Sequence, residues 1–269
     1  MAGQSRKPLY QKRRDAWAQL LLDTRDEASE EIAQQRIRLL ESWRPQQGEP
    51  LGEACWRYLS AKDVDGRPII WTVDERDMET PVKPFPSHKL YLKEIVTELW
   101  TYRIVLIDKI RQKYISTLCM LAIDWFCSFY DEREVFVSRI KEESAVKLIN
   151  DKIRVTHTRK PSWLQQACPI TLQPANIITY KMTNSTVTGV AQNFGSGDAR
   201  GPTASLVVVD EAAFQDLYDD IYGAILPMAA RFWAVSTANI GNPGAEAFKR
   251  QIFMGRPGYT EEGEEAFSE

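Results

Sequence analysis

Three short stretches carry residue types that can handle phosphate and a divalent metal. The first is Ile104-Val-Leu-Ile-Asp-Lys109-Ile-Arg111-Gln112-Lys113-Tyr114-Ile115-Ser116-Thr117. An apolar strand, a cationic turn and a helix start suit phosphate binding. The turn and the helix N-terminus offer N–H groups to the anion, and a hydroxyl reaches Mg²⁺. Laid on the pattern G-x-x-x-x-G-K-[ST], Lys109 falls on the first glycine, Tyr114 on the second, Ile115 on the lysine and Ser116 on the hydroxyl. With both glycines and the lysine missing from their usual places, the pattern alone would be a rejected match, read instead as an ordinary βα turn with surface cations. A tyrosine at the second glycine position also resists positive φ, which works against tight phosphate wrapping.

The second stretch is Ser205-Leu-Val-Val-Val-Asp210-Glu211, about 100 residues downstream. Four apolar strand residues place Asp210 at the carboxyl edge of a sheet, where ligands bind in open α/β folds. The first acid suits Mg²⁺ coordination and the second can polarise an attacking water. Strand ends are often acidic, so the pair alone does not settle the chemistry. The third stretch, Phe232-Trp-Ala-Val-Ser236-Thr237-Ala-Asn239-Ile-Gly241-Asn-Pro-Gly244, reads as a strand ending in hydroxyls and then a glycine-rich loop. A polar strand end beside the acids can sense a phosphate and pass its state to a loop. A generic turn explains it too.

The elements around these stretches alternate. Strands are predicted at 67–73, 102–107, 134–137, 177–182, 186–191, 205–209 and 232–236. Helices are predicted from Ser87 as N-cap to about Trp100, over about Ser116–Tyr130 and over about Lys141–Ile149. Pro81, Pro84 and Pro86 break the chain after the first strand, and residues 9–43 read as helical. Continuous apolar strands alternating with helices predict a parallel sheet covered on both faces.

Composition narrows the class. With 269 residues, 43% of them hydrophobic, the chain can bury a large core, and a net charge of −3 excludes a polybasic, histone-like protein. Cys55, Cys119, Cys127 and Cys168 form no CxxC pair, which argues against a structural zinc site. No disulfide is needed at this size, so a reducing compartment is expected. The start is basic without an apolar run behind it, unlike a signal peptide. The most apolar segment, Tyr114–Tyr130, contains Asp124 and reads as a buried helix rather than a membrane span.

In this order, the stretches resemble the ATPase domain of the large terminase subunit of tailed bacteriophages, over roughly residues 80–255. Many members of that family carry a phosphate loop like K-x-R-Q-x-G-x-S. Lys109, Arg111-Gln112, the apolar Ile115 and Ser116 match it, while Tyr114 stands where glycine is usual. Phe85-Pro-Ser-His-Lys-Leu-Tyr91 resembles the family's adenine-contacting segment. Val135–Ala145 resembles its second strand and following helix, and Ser162-Trp163-Leu164 a short element after them. Ser185–Thr188 with Ala199-Arg200-Gly201 resembles a strand and an Ala-Arg-Gly turn, and Ser236-Thr237 with Gly241 its coupling motif.

The resemblance implies an α/β fold with a P-loop NTPase-like, mostly parallel sheet flanked by helices. It also implies a helical N-terminal extension over 1–65, an ATPase domain over 66–255 and a flexible acidic tail over 256–269. The implied activity is Mg²⁺-dependent ATP hydrolysis that drives double-stranded DNA into a procapsid. Lys109, Arg111, Gln112, Lys113, Ser116, Thr117 and Tyr91 would bind ATP. Ser116 and Asp210 would hold the metal, Glu211 would activate water, and Ser236 and Thr237 would couple phosphate state to movement. Arg200 is a candidate arginine finger acting in trans, or a structural arginine. DNA contact would be to backbone phosphates without sequence preference. The implied partners are a portal protein, a small terminase subunit and a separate nuclease domain or chain, because only about 15 residues follow Phe253. The chain would be a monomer alone and a ring on the portal, in the host bacterial cytoplasm and at the portal vertex, away from membranes. Two alternatives stay open: a degenerate, non-catalytic nucleotide-binding or assembly module, and a helicase-like ATPase, which would need a second motor domain.

Overall fold

The computed structural model describes residues 9–22, 27–74, 77–110, 114–171, 174–194, 203–239 and 241–255. Three helices open it: α1 (Leu9–Leu22), α2 (Glu27–Ser42) and α3 (Leu51–Leu59). A separate antiparallel pair follows, β1 (Trp71–Val73) and β2 (Val82–Pro84). The proline-rich segment thus does not simply break the chain. A two-stranded sheet has only edges, where proline's missing N–H costs no ladder bond.

The main body begins with α4 (Leu90–Thr101), β3 (Ile104–Asp108), α5 (Ile115–Phe129), β4 (Glu134–Arg139) and α6 (Glu142–Ile149). The last helix continues through a π-helical turn, Asn150–Arg154, into α7 (Val155–Arg159). Then come α8 (Ser162–Ala167), β5 (Ile170–Thr171), β6 (Ile177–Tyr180), β7 (Ser185–Ala191), β8 (Leu206–Asp210), α9 (Tyr218–Ile225), β9 (Phe232–Ser236) and α10 (Pro243–Met254). Lys89, not Ser87, precedes α4. The Ser87 N–H bonds Phe85 in a turn, and no side chain caps the helix. The glycine-rich loop after β9 runs at once into α10, capped by the Asn242 side chain with Pro243 at its first position.

The seven-stranded sheet runs β3-β9-β8-β4-β7-β6-β5. Neighbours from β3 to β7 are parallel, and β6 and β5 add antiparallel at one edge. Strand alternation sorts the side chains onto two faces. Leu206, Val208, Trp233 and Val235 join α3, α4 and α5 in one core. Val207, Val209, Phe232 and Ala234 pack with Tyr218, Ile221 and Phe248 of α9 and α10 in the other. The result is a sheet covered by helices on both faces, as the apolar strands require.

Helix α5 is the main element of the first core, and contacts at its start, middle and end fix its position. At its start Tyr114 adopts φ 60 and ψ 5, left-handed values that a side chain tolerates poorly. The Lys89 ammonium lies 4.6 Å over the Tyr114 ring, and the phenol donates to Asp74 at 3.4 Å. At mid-helix, the fully buried Asp124 accepts from Lys160 Nζ at 2.6 Å, Tyr58 at 2.9 Å and Tyr180 at 3.0 Å. That charge ties α3, α5, β6 and the end of α7 together. At the far end Arg13 of α1 donates to the Phe129 carbonyl and pairs with Asp131. Trp17 donates to the Ala167 carbonyl, and Trp125 to that of Trp43. Among the described residues no helix is long and apolar enough to cross a membrane, and all four cysteines are buried and free.

Two measurements check these constraints. Lys160→Met strands the Asp124 charge in the core and should cost about 3–5 kcal/mol in urea unfolding. A loss within experimental error would show that the pair does not hold α5. Tyr114→Gly and Tyr114→Ala both remove the ring contacts, so their difference isolates the backbone. The glycine variant should be more stable by about 1–2 kcal/mol, and equal stability would rule out the left-handed conformation.

Candidate functional site

Two of the sequence stretches meet through one hydroxyl. Strand β3 ends at Asp108, and the Lys109 N–H bonds the Ser236 carbonyl at the end of β9. The Lys109 side chain donates to Ser116 Oγ at 2.9 Å, and Ser116 Oγ donates to Asp210 Oδ1 at 2.7 Å. Ser116 lies in the first turn of the 15-residue helix α5, where backbone N–H groups lack intrahelical partners. A lysine, a helix start, a hydroxyl and a carboxylate therefore converge at the carboxyl edge of the sheet.

Asp210 is 1% exposed, so its charge must be paired. Besides Ser116 it has a second side-chain partner. Arg139, the last residue of β4, donates to Asp210 Oδ2 from Nε at 2.9 Å and from Nη2 at 2.6 Å. The same Nη2 lies 3.2 Å from the Glu211 carboxylate. In sequence, an arginine after a strand reads as a solvated edge cation. Only the adjacency of β4 and β8 brings it to the acids.

Glu211 has φ 59 and ψ 42, a second left-handed residue. Such strain turns the chain sharply after the strand and is found at sites that need it. The side chain is 45% exposed, in contrast to the buried Asp210 beside it. Backbone groups on either side are clamped. Ser236 Oγ accepts from the Ala213 N–H at 3.0 Å, and the Asn239 amide donates to the Ala213 carbonyl at 3.1 Å. Gln215, wholly buried, donates to the Asp210 carbonyl at 2.9 Å and accepts from Ser138 at 3.1 Å. Gly244 of α10 approaches the Gln215 carbonyl so closely that a Cβ there would lie 2.0 Å from it. The third sequence stretch thus touches the turn that carries Glu211. Gln215 gave no sequence signal, since a lone glutamine has no spacing to read.

Thr117 follows Ser116 in the first turn of α5, and Thr237 accepts from Ser236 Oγ through its carbonyl at 3.1 Å. Tyr91 sits in the first turn of α4, half-buried against the core, and burial raises its phenol pKa. Cys119, one turn along α5 from Ser116, stays a thiol. Burial first, then the Asp210 charge, pushes its pKa up to about 12. Arg111, Gln112, Lys113 and Arg200 lie outside the described residues. A cavity of about 460 Å³ opens beside the Ala213 turn, lined by Asp108, Asn239, Glu246 and Lys249 among others.

No family model matches the sequence, and no curated protein matches it. Among solved structures it is similar to the large terminase of bacteriophage HK97, with a TM-score of 0.53 and 12% identity, over 75% of this chain. The matched region is 40% of that protein, so the chain spans well under half of its length. The ATPase domain of the Thermus phage P74-26 large terminase aligns at a TM-score of 0.43 and 15% identity, covering 62% of this chain and 71% of that one. At such identity the HK97 likeness is one of fold: the chain is built on the same α/β architecture as part of a phage large terminase.

Proposed function

We propose that this chain is the ATPase engine of a viral DNA-packaging motor. The single observation that carries the reading is the contact series Lys109–Ser116–Asp210, whose Ser116–Asp210 bond joins residues 94 apart in sequence at the carboxyl edge of a mostly parallel sheet. The donor set suits nucleotide with Mg²⁺. A hydroxyl and a carboxylate offer the hard oxygen ligands that Mg²⁺ prefers, and an ammonium and a helix N-terminus suit phosphate. ATP with Mg²⁺ supplies an activated phosphoryl bond to cleave.

Ser116 and Asp210 would hold the metal, and Lys109 would neutralise phosphate charge, as its long side chain already brings the ammonium to Ser116. Thr117, Arg111, Gln112, Lys113 and Tyr91 complete the proposed ATP site. Glu211, displaced from the strand direction by its positive φ, would accept a proton from the attacking water. Ser236, bonded to the Ala213 N–H, and Thr237 after it would relay the state of the site to the segment leading into α10. The left-handed Tyr114 supports the catalytic reading over the degenerate one, since the backbone there has the conformation for which the loop position otherwise takes glycine. Double-stranded DNA, a portal protein, a small terminase subunit, a nuclease domain or chain and a ring of copies, with Arg200 reaching a neighbour, belong to the same proposal.

Nucleotide titration and phosphate release test it on two variants. Glu211→Gln should bind ATP with Mg²⁺ like the wild type and lose hydrolysis, because the geometry survives without the base. Undiminished turnover would remove Glu211 from the role. Lys109→Ala should lower ATP affinity by roughly one to two decades, the worth of a charge-assisted contact. Unchanged affinity would remove Lys109 from the phosphates.

A further inference from the structure

Charge at the site balances in an unusual way. Lys109 and Arg139 are both held, through Ser116 or directly, on the carboxylates of Asp210 and Glu211. A metal ion placed between Ser116 and Asp210 would supply the positive charge that Asp210 now draws from Arg139. The guanidinium would then be surplus there, while phosphate brings new negative charge to the same edge. Arg139 can respond, because its side chain is 22% exposed while that of Asp210 is 2% exposed. Its backbone is fixed as the last residue of β4, paired to Ala191 of β7, so only the side chain has freedom to move.

We propose that Arg139 is a latch within the subunit that senses the terminal phosphate. Without nucleotide it clamps Asp210 and Glu211 together and keeps the Glu211 carboxylate engaged. With a nucleoside triphosphate and Mg²⁺ it releases both and turns its planar fork to the terminal phosphate, a group it can grip with paired N–H bonds. Releasing Glu211 at that moment frees the proposed base only when a cleavable phosphate is present. A diphosphate offers no such group and leaves the latch on the acids. This inference rests on the nucleotide-binding reading and adds a discrimination step to it.

The test is the ratio of two affinities rather than turnover. Fluorescent ADP and a fluorescent non-hydrolysable ATP analogue are titrated with Mg²⁺ against the wild type, Arg139→Lys and Arg139→Gln. Each variant should lose roughly 10- to 100-fold of its preference for the triphosphate, the range of a charge-assisted contact. A variant that is partly unfolded weakens both ligands by the same factor, so the ratio still reports the latch. A ratio equal to that of the wild type overturns the proposal and leaves Arg139 as a structural partner of the acids. A wild type that binds neither nucleotide overturns the nucleotide-binding reading itself, and the latch with it.

Discussion

A carboxylate that is 1% exposed at the end of a central strand governs the architecture of this protein. Asp210 needs partners on every side, because an unpaired charge in such a place is costly. Ser116 supplies one from α5, Arg139 supplies two donors from β4, and Gln215 takes the backbone carbonyl. Each partner belongs to a different element, so satisfying this one residue sets the relation of β4, β8 and α5. The strand order serves the same end, with β9 between β3 and β8 so that Ser236 reaches both the Lys109 N–H and the Ala213 N–H.

The second buried carboxylate, Asp124, does for the body of α5 what Asp210 does for its start. A helix N-terminus can present N–H groups to an anion only if the helix cannot slide or rotate. Lys160, Tyr58 and Tyr180 hold α5 by its middle, and Arg13 holds the carbonyl of its last residue, Phe129. The helices at the beginning of the chain therefore share the core that positions the site. Trp17, Trp43 and Tyr58 are buried in the same cluster as Leu118 and Met120 of α5.

Much of this frame was legible in the sequence because it follows from periodicity. The apolar runs at 104–107 and 206–209 read as strands, the first half-buried at the sheet edge and the second fully buried, and the acids after the second had to lie at the end of that strand. Ser116 was legible by its spacing from Lys109. Arg139 was not, since its meaning depends on which strand lies beside β4, and strand order is a tertiary property. The positive φ of Glu211 was hidden for the same reason: no residue type announces strain that the surrounding contacts impose. Helix α10 went unread because Pro243 and Gly244 look like loop punctuation. The proline is in fact the first helical residue, and the glycine answers to a close approach of Gln215. Ser87 misled in the opposite sense, as a good capping residue spent in a turn.

Ser116 and Asp210 are proposed to form a metal site filled together with nucleotide phosphate. Pulsed electron paramagnetic resonance tests it most directly, with Mn²⁺ in place of Mg²⁺ and a non-hydrolysable ATP analogue. Bound Mn²⁺ coupled to phosphorus nuclei is expected in the wild type, and loss of that signal in Ser116→Ala. Bound Mn²⁺ without phosphorus coupling, or coupling that survives Ser116→Ala, would contradict it.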